Sequence, residues 1–132
     1  MRLFASAILM ILSTVPVAYA DDCADQTQQG LDKCAGVAYA KADAALNSVY
    51  KEIIRRLKDD AATTKLLVTA QKAWIAYRDA ECAFSSSASA GGTIYPMVVT
   101  ICLEAVTTER TKALGAYLKC EVGDTGCPVP GK

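Results

Sequence analysis

Histidine is absent from this chain of 132 residues. That removes the usual general base at neutral pH, the partner that activates a nucleophilic serine or cysteine, and the commonest nitrogen ligand of a zinc site. No Cys-x-x-Cys pair, Gly-x-Ser-x-Gly elbow or phosphate-cradling glycine loop occurs. Basic residues are not in excess: 14 Lys and Arg stand against 14 Asp and Glu, so the footprint expected of a nucleic-acid binder is missing, and nothing favours a membrane-surface protein. No useful run of alternating apolar residues suggests a strand. The adjacent carboxylates Asp21-Asp22 and Asp59-Asp60 fall in turn-like segments, with no burial to shift their pKa values. The expectation is a protein that is not an enzyme and takes no metal or cofactor.

What is present begins with a leader. Met1-Arg2 gives a positive start, Leu3 to Val17 is almost wholly apolar, and Ala18-Tyr19-Ala20 has the small-x-small pattern of a signal-peptidase site. The apolar run is short for a membrane-spanning helix. Residues 1–20 therefore read as a cleaved signal peptide, with a mature chain from Asp21. Acylation of Cys23 is disfavoured, because Ala20-Asp21-Asp22 is a poor lipoprotein signal. Residues 21–120 read as one helical domain and 121–132 as an irregular tail. The reading places the protein in the periplasm or outside the cell, without a membrane anchor once the leader is gone.

The six cysteines, Cys23, Cys34, Cys82, Cys102, Cys120 and Cys127, are an even set behind an export signal and read as three disulfides. Geometry narrows the pairing. An antiparallel hairpin of two helices brings Cys82 opposite Cys102, the segment before the first helix can fold Cys23 back on Cys34, and Cys120 and Cys127 remain to clip the tail into a ring. The bridge from Cys82 to Cys102 should add about 3 kcal/mol in the chain-entropy model, a large share of a small domain's stability.

Three helical stripes follow. The first opens at Asp25 or Thr27, either of which can cap it, and carries Tyr39, Ala42, Leu46, Val49, Ile53 and Leu57 on one face. Arg55, Arg56 and Lys58 near its end complement the helix dipole as a solvated helix end, and Asp59-Asp60 marks the turn. The second, from about Ala62 to Phe84, shows the stripe Leu66, Ala70, Ala73, Tyr77, Ala80 and Phe84, widened by Leu67 and Trp74. The third starts near Thr93 as cap, with Pro96 in the first turn, and continues through Val98, Ile101, Ala105, Val106, Ala113, Leu114, Tyr117 and Leu118. Thr107-Thr108 is a soft spot where it can bend or break. The fold class is all-α: a small bundle of three helices, or four if the third divides, stapled by disulfides.

Between the second and third helices lies Ser85-Ser86-Ser87-Ala88-Ser89-Ala90-Gly91-Gly92-Thr93, which has no side chain large enough to build a core. A slim segment anchored close behind by a disulfide could enter a substrate cleft lined by two carboxyl groups, losing little ordering entropy on the way. Ser85, Ser86, Ser87, Ser89, Gly91, Gly92 and Thr93 are the candidate partner-binding residues.

Several clusters occur in a characteristic order: Cys23 with Thr27 and Cys34; Ala42-Asp43, Leu46-Asn47 and Tyr50; then Gln71-x-x-Trp74-x-x-x-Arg78-x-x-x-Cys82; then Gly91-Gly92-Thr93, Cys102, Arg110 and Leu114. From Cys23 to about Leu118 the chain resembles the N-terminal domain of the LprI-type lysozyme inhibitor family, small exported bacterial proteins. Cys120 and Cys127 lie outside that pattern, and Thr93 stands where serine more often follows the glycines. The resemblance implies a helical domain and, for some members, inhibition of lysozyme.

Gln71, Trp74, Arg78 and Cys82 share one helical face and read as a core-side polar network. Arg78 is expected to pair with an acid from a neighbouring helix, with Asp43, Glu104 and Glu109 as candidates. Asp43, Asn47, Tyr50 and Arg110 belong to the same structural set. The function expected is binding and inhibition of a peptidoglycan-cleaving hydrolase such as lysozyme, by occluding its active site. The alternatives are a periplasmic immunity protein against a cell-wall-targeting toxin, or a non-inhibitory structural or assembly component of the envelope.

Overall fold

The computed structural model describes residues 23–131; the expected leader lies outside the described residues. Among these residues the chain forms α1 (Gln28–Arg56), α2 (Ala61–Ser85) and α3 (Tyr95–Tyr117), with a single 3-10 turn at Ser87–Ser89 and no strands. The N-terminal caps follow from side-chain chemistry. Thr27 Oγ1 accepts from the Gly30 amide at 3.2 Å, and Asp60 Oδ1 accepts from the Thr63 amide at 2.9 Å; each satisfies an amide that has no partner inside the helix. That amide hydrogen bond holds the Asp60 carboxyl below its usual pKa. The third helix departs from expectation, because it begins two residues past Thr93 with Ile94 at the cap and no capping side chain. Pro96 in the first turn removes one of the donors a cap would have served. Thr107-Thr108 does not break α3 either. The hydroxyl of Thr108 turns to Glu104 Oε1 at 3.0 Å, and that of Thr111 bonds back to the Thr107 carbonyl at 2.9 Å, within an uninterrupted helix.

The topology is up-down-up. Gln28 at the start of α1 reaches Met97 at the start of α3, and Arg56 at the end of α1 donates to the Leu118 carbonyl beyond the end of α3 at 3.1 Å. The helices α1 and α3 are therefore parallel neighbours, packed along much of their length, while α2 runs back against α3 over a shorter stretch. The core sits between α1 and α3 towards their C-terminal ends, where Leu46, Ile53, Leu57 and Leu114 are buried. Arg56 is not the solvated residue its position suggested: its side chain is largely covered, bonded to Glu52 and to the end of α3.

The tail contributes more than a ring. It has no regular structure, but Val129, between Pro128 and Pro130, is buried and completes the core beneath Ile53, Leu57 and Leu114. Three disulfides join Cys23 to Cys34, Cys82 to Cys102 and Cys120 to Cys127, with Cα–Cα separations of 5.0, 5.6 and 6.1 Å. Gly30 is where the lead-in folds back onto α1: a Cβ there would overlap the backbone and side chain of Asp25. Only a residue without a side chain lets Cys23 reach Cys34 by this path.

The stripe expected to bury α2 lies on the outside. Leu66, Tyr77 and Phe84 are 70%, 58% and 76% exposed, and Ala70, Ala73 and Ala80 are exposed as well. The face turned inward is the neighbouring one, Leu67, Gln71, Trp74, Arg78 and Cys82, about one residue's rotation away. A similar shift affects α3, whose buried residues are Thr107 and Leu114, while Ile101, Ala105, Ala113 and Tyr117 are exposed.

Candidate functional site

Two sets of residues compete for function: the polar face inside α2 and the loop at its end. The first is internal. Arg110 of α3 donates through Nε to Gln71 Oε1 at 3.1 Å and lies 5.8 Å from the centre of the Trp74 ring. The Arg78 guanidinium lies 5.3 Å from the centre of the same ring and 5.9 Å from that of Tyr39 on α1. Two guanidinium groups thus share one indole, and the cation–π attraction strengthens as water is excluded. Arg78 does not pair with an acid from another helix. It bonds Asp79, its neighbour in sequence, at 2.7 Å, while Asp43 accepts from Asn47, Glu104 from Thr108 and Glu109 from Lys112, each within its own helix. The contacts Arg78 makes across to another helix are with the ring of Tyr39, where a carboxylate was expected. Tyr50 packs, half-buried, against the core.

The loop is held from behind. Cys82 is fully buried and bonded to Cys102, three residues before the loop begins. Successive backbone hydrogen bonds then make the loop a chain of turns: Ser89 to Ser86 at 3.0 Å, Ala90 to Ser87 at 3.1 Å, Gly92 to Ser89 at 3.0 Å and Tyr95 to Gly92 at 3.2 Å. Gly91 sits at φ +79°, in the left-handed region that glycine adopts without strain. The segment is an ordered tip.

Not all seven candidate contact residues are available on that tip. Ser86 is 1% exposed, its hydroxyl buried without a hydrogen-bond partner, so it cannot touch a binding partner. Ser89 is half-buried and spends its hydroxyl on the Ser86 carbonyl at 2.9 Å. Ser85, Ser87, Gly91, Gly92 and Thr93 remain on the surface, and Ser85 Oγ lies 3.4 Å from the Cys102 sulfur. Beside them Ile94 is exposed, an apolar rim that no periodicity signalled because it stands alone between two elements.

Cys120, Asp124 and Cys127 lie close together, but both sulfurs are in a disulfide and offer no thiolate to a metal. No helix among the described residues is long and apolar enough to cross a membrane.

The comparison with known families then decides the lineage. The model of the lysozyme inhibitor LprI matches residues 20–114. The chain belongs to the LprI lysozyme inhibitor family. A Rhizobium meliloti protein, itself named as uncharacterised, is 35% identical to this LprI-family chain, the match covering 86% of this chain and 94% of that one. A crystal structure of a DUF1311-family protein from Pseudomonas putida KT2440 superposes with a TM-score of 0.63 at 28% identity, over 68% of this chain and 92% of that one. The family model ends at residue 114, so the tail with Cys120, Cys127 and the buried Val129 falls beyond the shared part. The cluster of Tyr39, Gln71, Trp74, Arg78 and Arg110 lies wholly inside it.

Proposed function

We propose that this LprI-family protein is exported and binds a peptidoglycan-cleaving hydrolase of the lysozyme type, inserting the Ser85–Thr93 loop into the substrate cleft and occluding the catalytic carboxyls. The observation that carries the mode of binding is the anchored loop itself: an ordered tip without bulk, one turn from the buried, disulfide-bonded Cys82. Glycosidase clefts hold a pair of carboxyl groups. The loop contains no acidic residue and presents the hydroxyls of Ser87 and Thr93 beside a bare glycine backbone. These are neutral donors that a carboxylate accepts from without the desolvation cost of burying a second charge. Pre-ordering by turns and by the staple reduces the entropy lost on insertion.

Titration of muramidase activity with the mature protein tests the proposal. Activity should fall to a low plateau near stoichiometric addition, and no loss at a large molar excess would overturn it. Placing a carboxylate on the tip with Ser87→Glu should weaken inhibition by at least about tenfold through like-charge repulsion, with an unchanged melting temperature because the site is exposed. A Ser87→Glu protein that inhibits as well as the parent would move the contact surface away from the loop.

A further inference from the structure

The outward face of α2 is unexplained by either the core or the loop. Leu66, Ala70, Ala73, Tyr77, Ala80 and Phe84 follow one another at alternating steps of four and three, which is the spacing of a coiled-coil seam. It spans roughly 27 Å at the helical rise per residue. The flanking positions Thr69, Ala76 and Ala83 are also small and exposed, so a second helix could approach closely along the whole line. On one side the seam borders an open groove of about 550 Å³ between α2 and α3, lined by Trp74, Tyr77, Ala105 and Ala113 among others. Isolated exposed apolar residues are ordinary, whereas a contiguous row of them marks a contact surface.

From this face we infer that the protein forms a two-fold dimer, with α2 of one copy lying antiparallel against α2 of the other. The face is complementary to itself in that orientation. Pairing about a centre at Ile75 sets Leu66 against the second copy's Phe84, Ala70 against its Ala80, and Ala73 against its Tyr77. Each layer joins the two alternating seam positions, as antiparallel pairing requires, and the bulk of Tyr77 meets the smallest side chain. Charge agrees with shape. Lys65 and Lys72 lie in the first half of α2 and Asp79 in the second, all on the same flank. Antiparallel docking brings Lys72 beside the second copy's Asp79, and only Ala76 and its equivalents stand between. Lys72 makes no ion pair among the described residues, while Asp79 is bonded at present only to Arg78. One helix face with a rim from Ala105 and Tyr117 is small beside standard interfaces of about 800 Å² per partner, so the dimer should dissociate in the micromolar range. The two loops would project from opposite ends and stay free.

Sedimentation velocity of the mature protein from about 5 to about 500 µM tests this. A concentration-dependent doubling of mass is expected; a monomer throughout overturns the inference. Ala73→Glu at the seam should leave a monomer of parental helicity, and Ala80→Lys is the second such variant should the first fail to fold. A dimer surviving both overturns the interface. Lys72→Glu should weaken the dimer at least about tenfold, and Lys72→Glu combined with Asp79→Lys should restore it; a double variant no better than the single one overturns the antiparallel register. If the parent is monomeric and Ala73→Glu abolishes hydrolase inhibition, the face belongs to the hydrolase and the second-copy inference falls. Loss of the dimer with inhibition intact leaves the loop proposal standing, so the two readings fail separately.

Discussion

The two sides of α3 are built differently. Towards α1 it packs along its length, with Leu114 fully buried against Leu46, Ile53 and Leu57 and with Val129 closing the end. Towards α2 it makes a shorter contact, centred on one tryptophan, two arginines and a glutamine, and fastened by a disulfide at the loop end. The first side is held by apolar burial, which is broad and non-directional. The second is held by a few directional contacts and a covalent bond, and it leaves an apolar stripe in water. A helix can be secured in a small domain without burying its most apolar face, provided that something else ties it down.

That comparison can be broken first at its strongest point. Leu114→Ala should cost about 2–5 kcal/mol, the range for truncating a buried leucine. Leu66→Ala on the outer stripe should cost less than about 0.5 kcal/mol at concentrations where the chain is monomeric. Urea unfolding of the two variants measures the difference, and similar losses would show that α2 is buried on both faces. Next in size is the staple. Replacing Cys82 and Cys102 together by alanine should remove about 3 kcal/mol. The amides of the C-terminal half of α2 and of the loop should then exchange faster than those around Ile53 and Leu114. Uniform acceleration would mean that the two sides of α3 do not differ in kind.

The smallest effect concerns the end of α1. Hydrogen bonds from Arg55, and then from Arg56, hold the Glu52 carboxyl at about 2, below its ordinary 4.5. Because the folded-state value is depressed, this contribution to stability is present above pH 4.5 and is lost as the pH falls towards 2. Thermal melting across that window should show the parent losing stability, and Glu52→Gln should flatten the part of the loss that belongs to this group. A parallel decline in both proteins would remove Glu52 from the account.

The number of helices, their approximate limits and the hairpin that brings Cys82 to Cys102 were legible because each leaves a local signal: a period, a cap or a spacing. The stripe on α1 was legible for the same reason, with Ala42, Leu46, Ile53 and Leu57 all buried. Orientation on α2 was not. Two adjacent faces both carry apolar residues, and periodicity reports that a helix has a preferred side without saying what covers it. Leu66 and Leu67 look alike in the chain; only the position of α3 distinguishes them. Val129 was invisible for another reason, since one valine between two prolines has no period. Arg78 needs no acid from another helix because its carboxylate partner is the next residue, Asp79, and the rings of Tyr39 and Trp74 lie near the same guanidinium. Within the loop, composition identified a slim tip but could not tell Ser86, turned inward, from Ser87, turned out.

The bridge from Cys82 to Cys102 has a consequence for how such a protein can change over generations. It ties α2 to α3 behind the tip, so that the exposed residues Ser87, Ala88 and Thr93 add nothing to the core. Substitutions at those three positions can accumulate without jeopardising the framework that carries them, much as an interchangeable head fits one handle.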